Sequence, residues 1–191
     1  MTSKYSIPAD LDLHPDHQPI PDPVDPPARL LASKAFRDWF QGSTVVDGDG
    51  KPLMVFHGTA REDREFRSSR HYDLEGAYFT DCFKVAKDLA HMDSEIDGEQ
   101  PYVISAFIRL ANPYAMNDFD SQVISTQQAN DLKAAGHDGV IGVNANTGLV
   151  SEYVVFDPAQ IAQFHEGRVN IPGLTFAPGK SNNDQESSPS L

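Results

Sequence analysis

The stretch Ser151-Glu152-Tyr153-Val154-Val155-Phe156-Asp157-Pro158 carries the clearest fold signal in this chain. Its four central residues are β-branched or aromatic, the composition of a buried strand, and the Asp-Pro pair ends the strand. Charged side chains are almost never fully buried unless they are paired. Glu152 therefore either faces solvent at the start of this strand or points into a functional site.

Outward from this strand, helices and strands follow one another without the strict strand-helix-strand order of a parallel sheet. Apolar periodicity, capping residues and turn residues define the individual elements. The predicted elements are a helix from Ser33 to Gly42, a hairpin around 47–52 with strands at 44–46 and 53–56, strands at 76–80, 102–110, 140–143 and 151–156, a helix beginning near Phe83, and a helix over 126–135. We therefore expect an α+β domain built from antiparallel sheet pieces.

Composition divides the chain into a core and two ends. The first 27 of its 191 residues hold seven prolines, which predicts an extended, flexible arm over 1–27. The end, 167–191, is polar and poor in apolar residues, which predicts a disordered tail. The intervening segment 28–166 has an ordinary size for one domain with its own core.

Charge and cysteine content narrow the classes of function. The net charge of −13 argues against a broad electrostatic binding surface for nucleic acid or for an anionic membrane. Cys82 is the only cysteine, so an intrachain disulfide framework and a cysteine-based zinc cluster are excluded. No apolar stretch is long enough to span a membrane, and no Sec-type signal follows Met1. We expect a cytoplasmic protein, or an effector or toxin delivered into a target cell without such a signal.

Three short motifs occur in order on predicted strands: His57-Gly58-Thr59, Gly76-Ala77-Tyr78-Phe79-Thr80 and the strand containing Glu152. Each motif alone arises easily by chance, but the ordered set is specific. Together they resemble the H-Y-E group of ADP-ribosyltransferases, of the diphtheria-toxin and poly(ADP-ribose)-polymerase type. The likeness is greatest to small transferase domains of bacterial and phage proteins, and it covers about Ser33 to Phe164.

This resemblance implies a fold and an activity. The fold would be two packed, mostly antiparallel sheets with flanking helices around an NAD cleft. The activity would be that of an NAD-dependent mono-ADP-ribosyltransferase, a glycosyltransferase that uses NAD as co-substrate and needs no metal. It would cleave the nicotinamide-ribose bond and transfer ADP-ribose to a macromolecular acceptor, with protein favoured over nucleic acid.

The resemblance also assigns roles to individual residues. Glu152 would be catalytic, because its carboxylate would bind the nicotinamide-ribose 2′-OH and stabilise the positive charge that develops on the ribose. His57 would bind the adenosine ribose and the Gly58 backbone the nicotinamide carboxamide. Thr59 would support the adenosine side, and the Tyr78 ring would stack on nicotinamide.

The chain departs from the family pattern at three positions. Leu89 stands where many relatives place a second aromatic residue, so that the nicotinamide sandwich would be one-sided or would be completed by Tyr72 or His71. Ala86 stands where polymerase-type members have a serine that binds the carboxamide. Val150 replaces the first acidic residue of the E-x-E pattern, which makes arginine a less favoured acceptor.

Two alternatives to transfer remain open at the level of sequence. Water as the acceptor would make the protein an NAD glycohydrolase, and loss of turnover would leave a silent binding or interaction module. The acceptor itself would be chosen by variable loops, 61–73 and 144–150, whose sequence does not identify it.

Overall fold

A computed structural model describes residues 19–60, 66, 75–165 and 168–172 of the chain. Helices and strands alternate irregularly, as expected for an α+β domain. In chain order they are α1 (Ala28–Leu31), α2 (Lys34–Phe40), β1 (Val55–Thr59), β2 (Ala77–Phe79), α3 (Phe83–Asp97), β3 (Tyr102–Ile108), β4 (Tyr114–Asn117), α4 (Asp118–Ser121), α5 (Thr126–Ala134), β5 (Gly139–Val143), β6 (Val150–Val155), a short 3-10 helix (Pro158–Gln160), β7 (Ile161–His165) and β8 (Arg168–Asn170).

The first sheet has the strand order β1-β3-β7-β8 and is antiparallel throughout. β3 is its longest strand and pairs with β1 on one side and β7 on the other. In this register His57 lies opposite Ile104, and Gly58 lies opposite Val103. The His-Gly-Thr motif therefore forms the C-terminal part of an edge strand.

The second sheet has the strand order β2-β6-β5-β4. β6 pairs antiparallel with both β2 and β5, whereas β4 pairs parallel with β5. Tyr78 lies opposite Val154, and Glu152 lies opposite Gly142. Two four-stranded, mostly antiparallel sheets with helices around them confirm the predicted α+β fold.

The main core is one buried cluster to which both sheets contribute alternate residues of their strands. Phe79, Tyr153 and Val155 of the second sheet join Val55 and Ala106 of the first sheet in one buried cluster. Successive side chains of a strand point to opposite faces, so the neighbours of these residues leave this cluster. Tyr78 and Val154 belong instead to a cluster on the other face, together with Ile124 and Val140.

Helix ends are held by capping contacts, of which the Ser33 cap was predicted from the sequence. The Ser33 side chain accepts a hydrogen bond from the Phe36 N–H at 3.2 Å and begins α2. A capping box between Ser125 and Gln128 begins α5. Gly98, with φ of 71°, ends α3 in the left-handed conformation that glycine adopts without strain.

The predicted hairpin around 47–52 is only partly correct. It consists of a single bridge between Val46 and Pro52 and not of two paired strands. The Asp47 carboxylate accepts hydrogen bonds from the Asp49 and Lys51 N–H groups, both at 2.9 Å, and the Asp47 N–H donates to the Lys51 carbonyl oxygen at 2.8 Å, so side chain and backbone close the turn together without a regular ladder. The regular strand begins later than predicted, at Val55, and continues through the His-Gly-Thr motif.

Some elements were not predicted from the sequence. They are α1, β4 and α4, the 3-10 helix, and β7 and β8, of which α4 directly follows β4. β4 has mostly exposed residues, and its pairing with β5 is a long-range contact, so local patterning gave no strand signal.

Both predicted ends contribute residues to the described part of the chain. Ile20, in the predicted arm, is buried. β8 and the buried Ile171 lie in the predicted tail. Residues 1–18 of the arm, and residue 167 and residues 173–191 of the tail, lie outside the described residues. No helix within the described part is long and apolar enough to cross a membrane.

Candidate active site

His57 lies on β1 and contacts β2 through the backbone. Its Nδ1 is 2.7 Å from the Tyr78 carbonyl oxygen. A carbonyl oxygen only accepts, so this contact assigns the tautomer or protonation state in which Nδ1 carries a proton. The imidazole ring packs against Phe79 and Phe66, with centroid distances of 5.5 and 5.4 Å. The ring is thus fixed in both position and orientation.

Gly58 lies where helix α3 packs against β1. A Cβ at this position would overlap the Ala86 carbonyl oxygen and lie 2.8 Å from the Ala90 nitrogen. Both are backbone atoms of a regular helix and cannot move aside. The family resemblance gives this backbone a role in binding the nicotinamide carboxamide, and the contact with α3 by itself already requires glycine. The next residue, Thr59, is buried and pairs with Tyr102 of β3.

Tyr78 lies on β2 with its side chain on the face away from Phe79. Its ring packs against the cluster that contains Ile124 and Val154, and its hydroxyl oxygen accepts the Ile124 N–H at 3.2 Å. Burial raises the pKa of Tyr78 to about 12, and the nearby negative charge of Glu152 adds to this rise. The phenol is therefore neutral at physiological pH and is available as a hydrogen-bond donor.

Glu152 lies on β6, half-buried, on the same face as Tyr78 and Val154. Its Oε2 accepts a hydrogen bond from the Ser121 hydroxyl at 2.7 Å. Burial raises the pKa of Glu152 above its ordinary value, the Ser121 hydrogen bond lowers it, and the negative charge of Asp118 raises it further. The net rise is typical of a carboxylate that is held in a site and not released to solvent.

Helix α4 supplies the contact to Glu152 and was missed by sequence reasoning. The Asn117 side chain caps the helix by accepting the Phe119 N–H at 2.9 Å. Asp118 accepts a hydrogen bond from Asn144 Nδ2 at 2.9 Å, and Ser121 is fully buried. Asn117 before two aspartates is a usable N-cap signal. No local pattern indicates that Ser121 reaches a carboxylate 31 residues away.

Gly142 makes room for this contact. It lies opposite Glu152 on β5, and a Cβ there would overlap Ser121 Oγ and lie 3.2 Å from Ser121 Cβ. The absence of a side chain on β5 therefore lets α4 approach the sheet closely enough to reach the carboxylate.

Two of the three motif residues, Tyr78 and Glu152, lie on the same face of the second sheet, and the third, His57, is linked to Tyr78 through a backbone carbonyl. Tyr78 and Glu152 share one face of the second sheet, since Tyr78 pairs with Val154, two residues beyond Glu152. His57 joins them through the Tyr78 carbonyl, while its ring lies on the side of Phe79. The three motif residues thus lie on three neighbouring strand segments, with His57 and Tyr78 linked through the backbone.

The family departures have distinct structural settings. Ala86 is fully buried against β1 at the point of contact with Gly58, whereas Leu89 is 43% exposed on α3. Tyr72 and His71, proposed to complete the nicotinamide sandwich, lie outside the described residues. Val150 is half-buried and begins β6.

Metal ligation has no support in the described part of the chain. No group of three or more His, Cys, Asp or Glu side chains there is arranged to hold a metal ion. A cavity of about 560 Å³ is lined by other residues, among them Arg109, Lys133, His137, Asp138 and Gln160. Of the three motifs, the third contributes Phe156 to this lining, whereas His57, Tyr78 and Glu152 are not among the lining residues.

Comparison with known proteins identifies the domain. The family model described as "ADP-Ribosyltransferase in polyvalent proteins" matches residues 47–168, well over half of the chain. The matched segment begins at the Asp47 turn and contains all three motifs and helix α4. The searches among curated proteins and among solved structures gave no match. From its match to the family model, the chain belongs to the family of ADP-ribosyltransferases found in polyvalent proteins.

Proposed function

We propose that this protein is an NAD-dependent mono-ADP-ribosyltransferase that cleaves the nicotinamide-ribose bond and transfers ADP-ribose to a macromolecular acceptor. One observation carries the proposal. The carboxylate of Glu152 is half-buried and held by Ser121 on the face of the sheet that also carries Tyr78. Family membership supplies the reaction class, and this carboxylate is the group in the described structure that suits its transition state.

The chemistry requires a fixed negative charge. Nicotinamide leaves NAD as a neutral molecule while the ribose carbon becomes oxocarbenium-like, as in glycoside cleavage. A carboxylate beside that carbon stabilises charge that exists only in the transition state, and so it raises the rate more than the affinity. Burial has already removed part of the water around Glu152, which strengthens this interaction.

His57 and Tyr78 serve binding in this proposal. Locked by its contact with the Tyr78 carbonyl, the His57 imidazole has one fixed orientation for binding a ribose hydroxyl. Tyr78 has a neutral phenol and a partly exposed ring, which suits stacking against a flat heterocycle. Gly58 and Thr59 continue the strand on which His57 lies: the Gly58 backbone binds the nicotinamide carboxamide, and Thr59 supports the adenosine side.

The acceptor in this proposal is a protein. The net charge of −13 disfavours a nucleic acid, and Val150 stands where arginine-modifying enzymes carry an acidic residue. The loop 144–149 precedes the Glu152 strand, and its Leu149 is 69% exposed. This loop is placed to contact an acceptor that approaches the carboxylate.

The test is incubation of the purified protein with labelled NAD and cell lysate. We expect Glu152→Gln to reduce label transfer on the order of 100-fold to 1000-fold, with NAD affinity changed far less. Glu95→Gln, the same change at an exposed site on α3, is the matched control and should retain full activity.

Three outcomes would contradict the proposal in different ways. Release of free ADP-ribose without labelled macromolecules would make the protein a glycohydrolase. NAD binding by calorimetry without turnover would make it a silent module. No NAD binding and no difference between wild type and the Glu152 variant would reject both enzymatic functions.

A further inference from the structure

We propose that Ser121 is a positioning residue for Glu152: its buried hydroxyl holds the carboxylate through Oε2 and leaves Oε1 to the substrate. This inference rests on the proposed function, in which Glu152 is the catalytic carboxylate. The Ser121 hydroxyl lies 2.7 Å from Oε2, and no hydrogen bond among the described residues engages Oε1. The carboxylate is thus held at one oxygen and open at the other.

The burial of Ser121 makes the contact well defined. Its exposed fraction is 0%, so water does not compete for the hydroxyl. A hydrogen bond from a neutral donor to an ionised carboxylate is stronger than one between neutral groups. An exposed serine at this distance would exchange its hydrogen bond between the carboxylate and water, whereas the buried Ser121 hydroxyl does not contact solvent.

Ser121 is itself held by the surrounding structure. Helix α4 is capped by Asn117 at its beginning and tied to the β5–β6 loop by the hydrogen bond from Asn144 to Asp118. Gly142 provides the space that brings α4 against the sheet. The position of the hydroxyl is therefore set by several independent contacts and does not depend on Glu152.

The hydroxyl can serve both protonation states of Glu152. Ser121 Oγ lies 3.1 Å from the Asp118 carbonyl oxygen as well as 2.7 Å from Oε2. Toward the ionised carboxylate the hydroxyl donates its single proton to Oε2. Toward the protonated acid it accepts from Glu152 and donates to the Asp118 carbonyl. Glu152 could therefore take a proton from an acceptor without losing its orientation.

The effect of the Ser121 hydrogen bond on the pKa of Glu152 can be distinguished from the effect of nearby charges. Tyr78 faces it from β2, and it is neutral at physiological pH. β5 carries no titratable residue, while α4 carries Asp118 and Asp120. Ser121 lowers the pKa of Glu152 and Asp118 raises it. Removing one group or the other must therefore move the pKa of Glu152 in opposite directions.

The experiment compares Ser121→Ala, Ser121→Cys, Asp118→Asn and the control Ser151→Ala. Ser151 precedes Glu152 on β6, is exposed, and its hydroxyl points to the Gly142 carbonyl at 3.4 Å. For Ser121→Ala we expect kcat to fall about 10-fold to 100-fold, with the KM for NAD within about threefold, as for loss of orientation. Ser121→Cys keeps a side chain of similar shape with a weaker hydrogen-bond donor, and its kcat should lie between those of the wild type and Ser121→Ala. Ser151→Ala should match the wild type.

The second readout is the pKa of Glu152, followed by NMR of the isotope-labelled carboxyl and by the acid limb of the kcat profile. Ser121→Ala should raise this pKa, Asp118→Asn should lower it, and Ser151→Ala should leave it unchanged. A purely structural role for Ser121 would alter unfolding temperature without moving the pKa.

The outcomes separate this inference from the proposed function. An active wild type with Ser121→Ala equal to Ser151→Ala in kcat and in the Glu152 pKa overturns the positioning role and leaves the function standing. If the wild type neither binds nor cleaves NAD, both the proposed function and the catalytic role of the Ser121–Glu152 hydrogen bond are rejected. In that case, the NMR titration still shows whether Ser121 holds the carboxylate.

Discussion

The two ends of the candidate site are built on different principles. The β1 end, His57 and Gly58, is fixed by backbone contacts, to the Tyr78 carbonyl and to helix α3. The β6 end, Glu152 with Ser121, is fixed by a hydrogen bond between two side chains from elements far apart in sequence. One end is a rigid frame, whereas the other holds a charge whose protonation state can change.

This difference matches what each end has to do in the proposed reaction. A binding surface for ribose and carboxamide needs constant geometry, which strand pairing and helix packing supply. A carboxylate that stabilises a transient positive charge needs orientation together with partial burial, which raises its pKa. The hydroxyl of Ser121 gives orientation without the strong lowering of pKa that a positive charge would cause.

The largest effect on stability is expected for Gly58→Ala, which tests the rigidity of the β1 end. The added Cβ would meet backbone atoms of α3 at Ala86 and Ala90. Because neither strand nor helix can yield, we expect a loss of about 3 kcal/mol or more in the free energy of unfolding. Urea denaturation measures it. Gly48→Ala is the control, since nothing lies within 4 Å of a Cβ there, and it should be near neutral. A tolerated Gly58→Ala would show that α3 can shift away.

Gly142→Ala makes the corresponding test at the β6 end and should cost less, about 2 kcal/mol. Its Cβ would meet a side chain, Ser121, on the short helix α4, which can move further than α3. The displacement should also break the Ser121–Glu152 hydrogen bond, so NAD turnover should fall together with stability. Denaturation and turnover of the same preparation are compared. Loss of stability with full turnover would contradict the link between Gly142 and the carboxylate.

Tyr78→Phe probes the residue that lies between the two ends. The variant leaves the Ile124 N–H without its acceptor, and we expect a loss of about 1 kcal/mol. Tyr153→Phe is the matched control on the opposite face of the same sheet, where no hydrogen bond to the hydroxyl is found among the described residues. Thermal unfolding should separate the pair by roughly 2–4 °C. Equal unfolding temperatures would show that water replaces the phenol without cost.

The smallest effect is a gain in stability from Glu152→Gln. The folded protein raises the pKa of Glu152 above its ordinary value of 4.5, mainly through burial. The ionised form therefore costs stability above the raised pKa, and this cost disappears as the pH falls below 4.5. At pH 7 we expect the variant to be more stable by about 1 kcal/mol, as for other active-site charges.

The pH dependence provides the check on this last prediction. The difference in unfolding free energy between wild type and Glu152→Gln should shrink as the pH is lowered toward 4. A difference that grows at low pH would mean that Glu152 stabilises the fold when ionised, which would contradict its assigned environment.

The comparison of the two ends also shows what local sequence could and could not predict. The strand of Glu152, helix α2 with its Ser33 cap and helix α5 were predicted because composition and capping are local properties. The hairpin around 47–52 was over-predicted, since its backbone pairing is limited to a single bridge. Helix α4 was missed, because four residues give no periodicity and its neighbours in the fold are distant in sequence.

The sequence by itself determined the α+β class, the family and the three motif residues, because strand composition, caps and ordered motifs depend only on residue types and their order in the chain. Only the tertiary structure decided that Gly58 is required by α3, that Tyr78 and Glu152 share one face, and that Ser121 holds the carboxylate. These facts depend on strand register and on the approach of helices, which are set by packing between segments that no local pattern connects. The catalytic candidate was therefore visible in the sequence, whereas the residue that orients it was not.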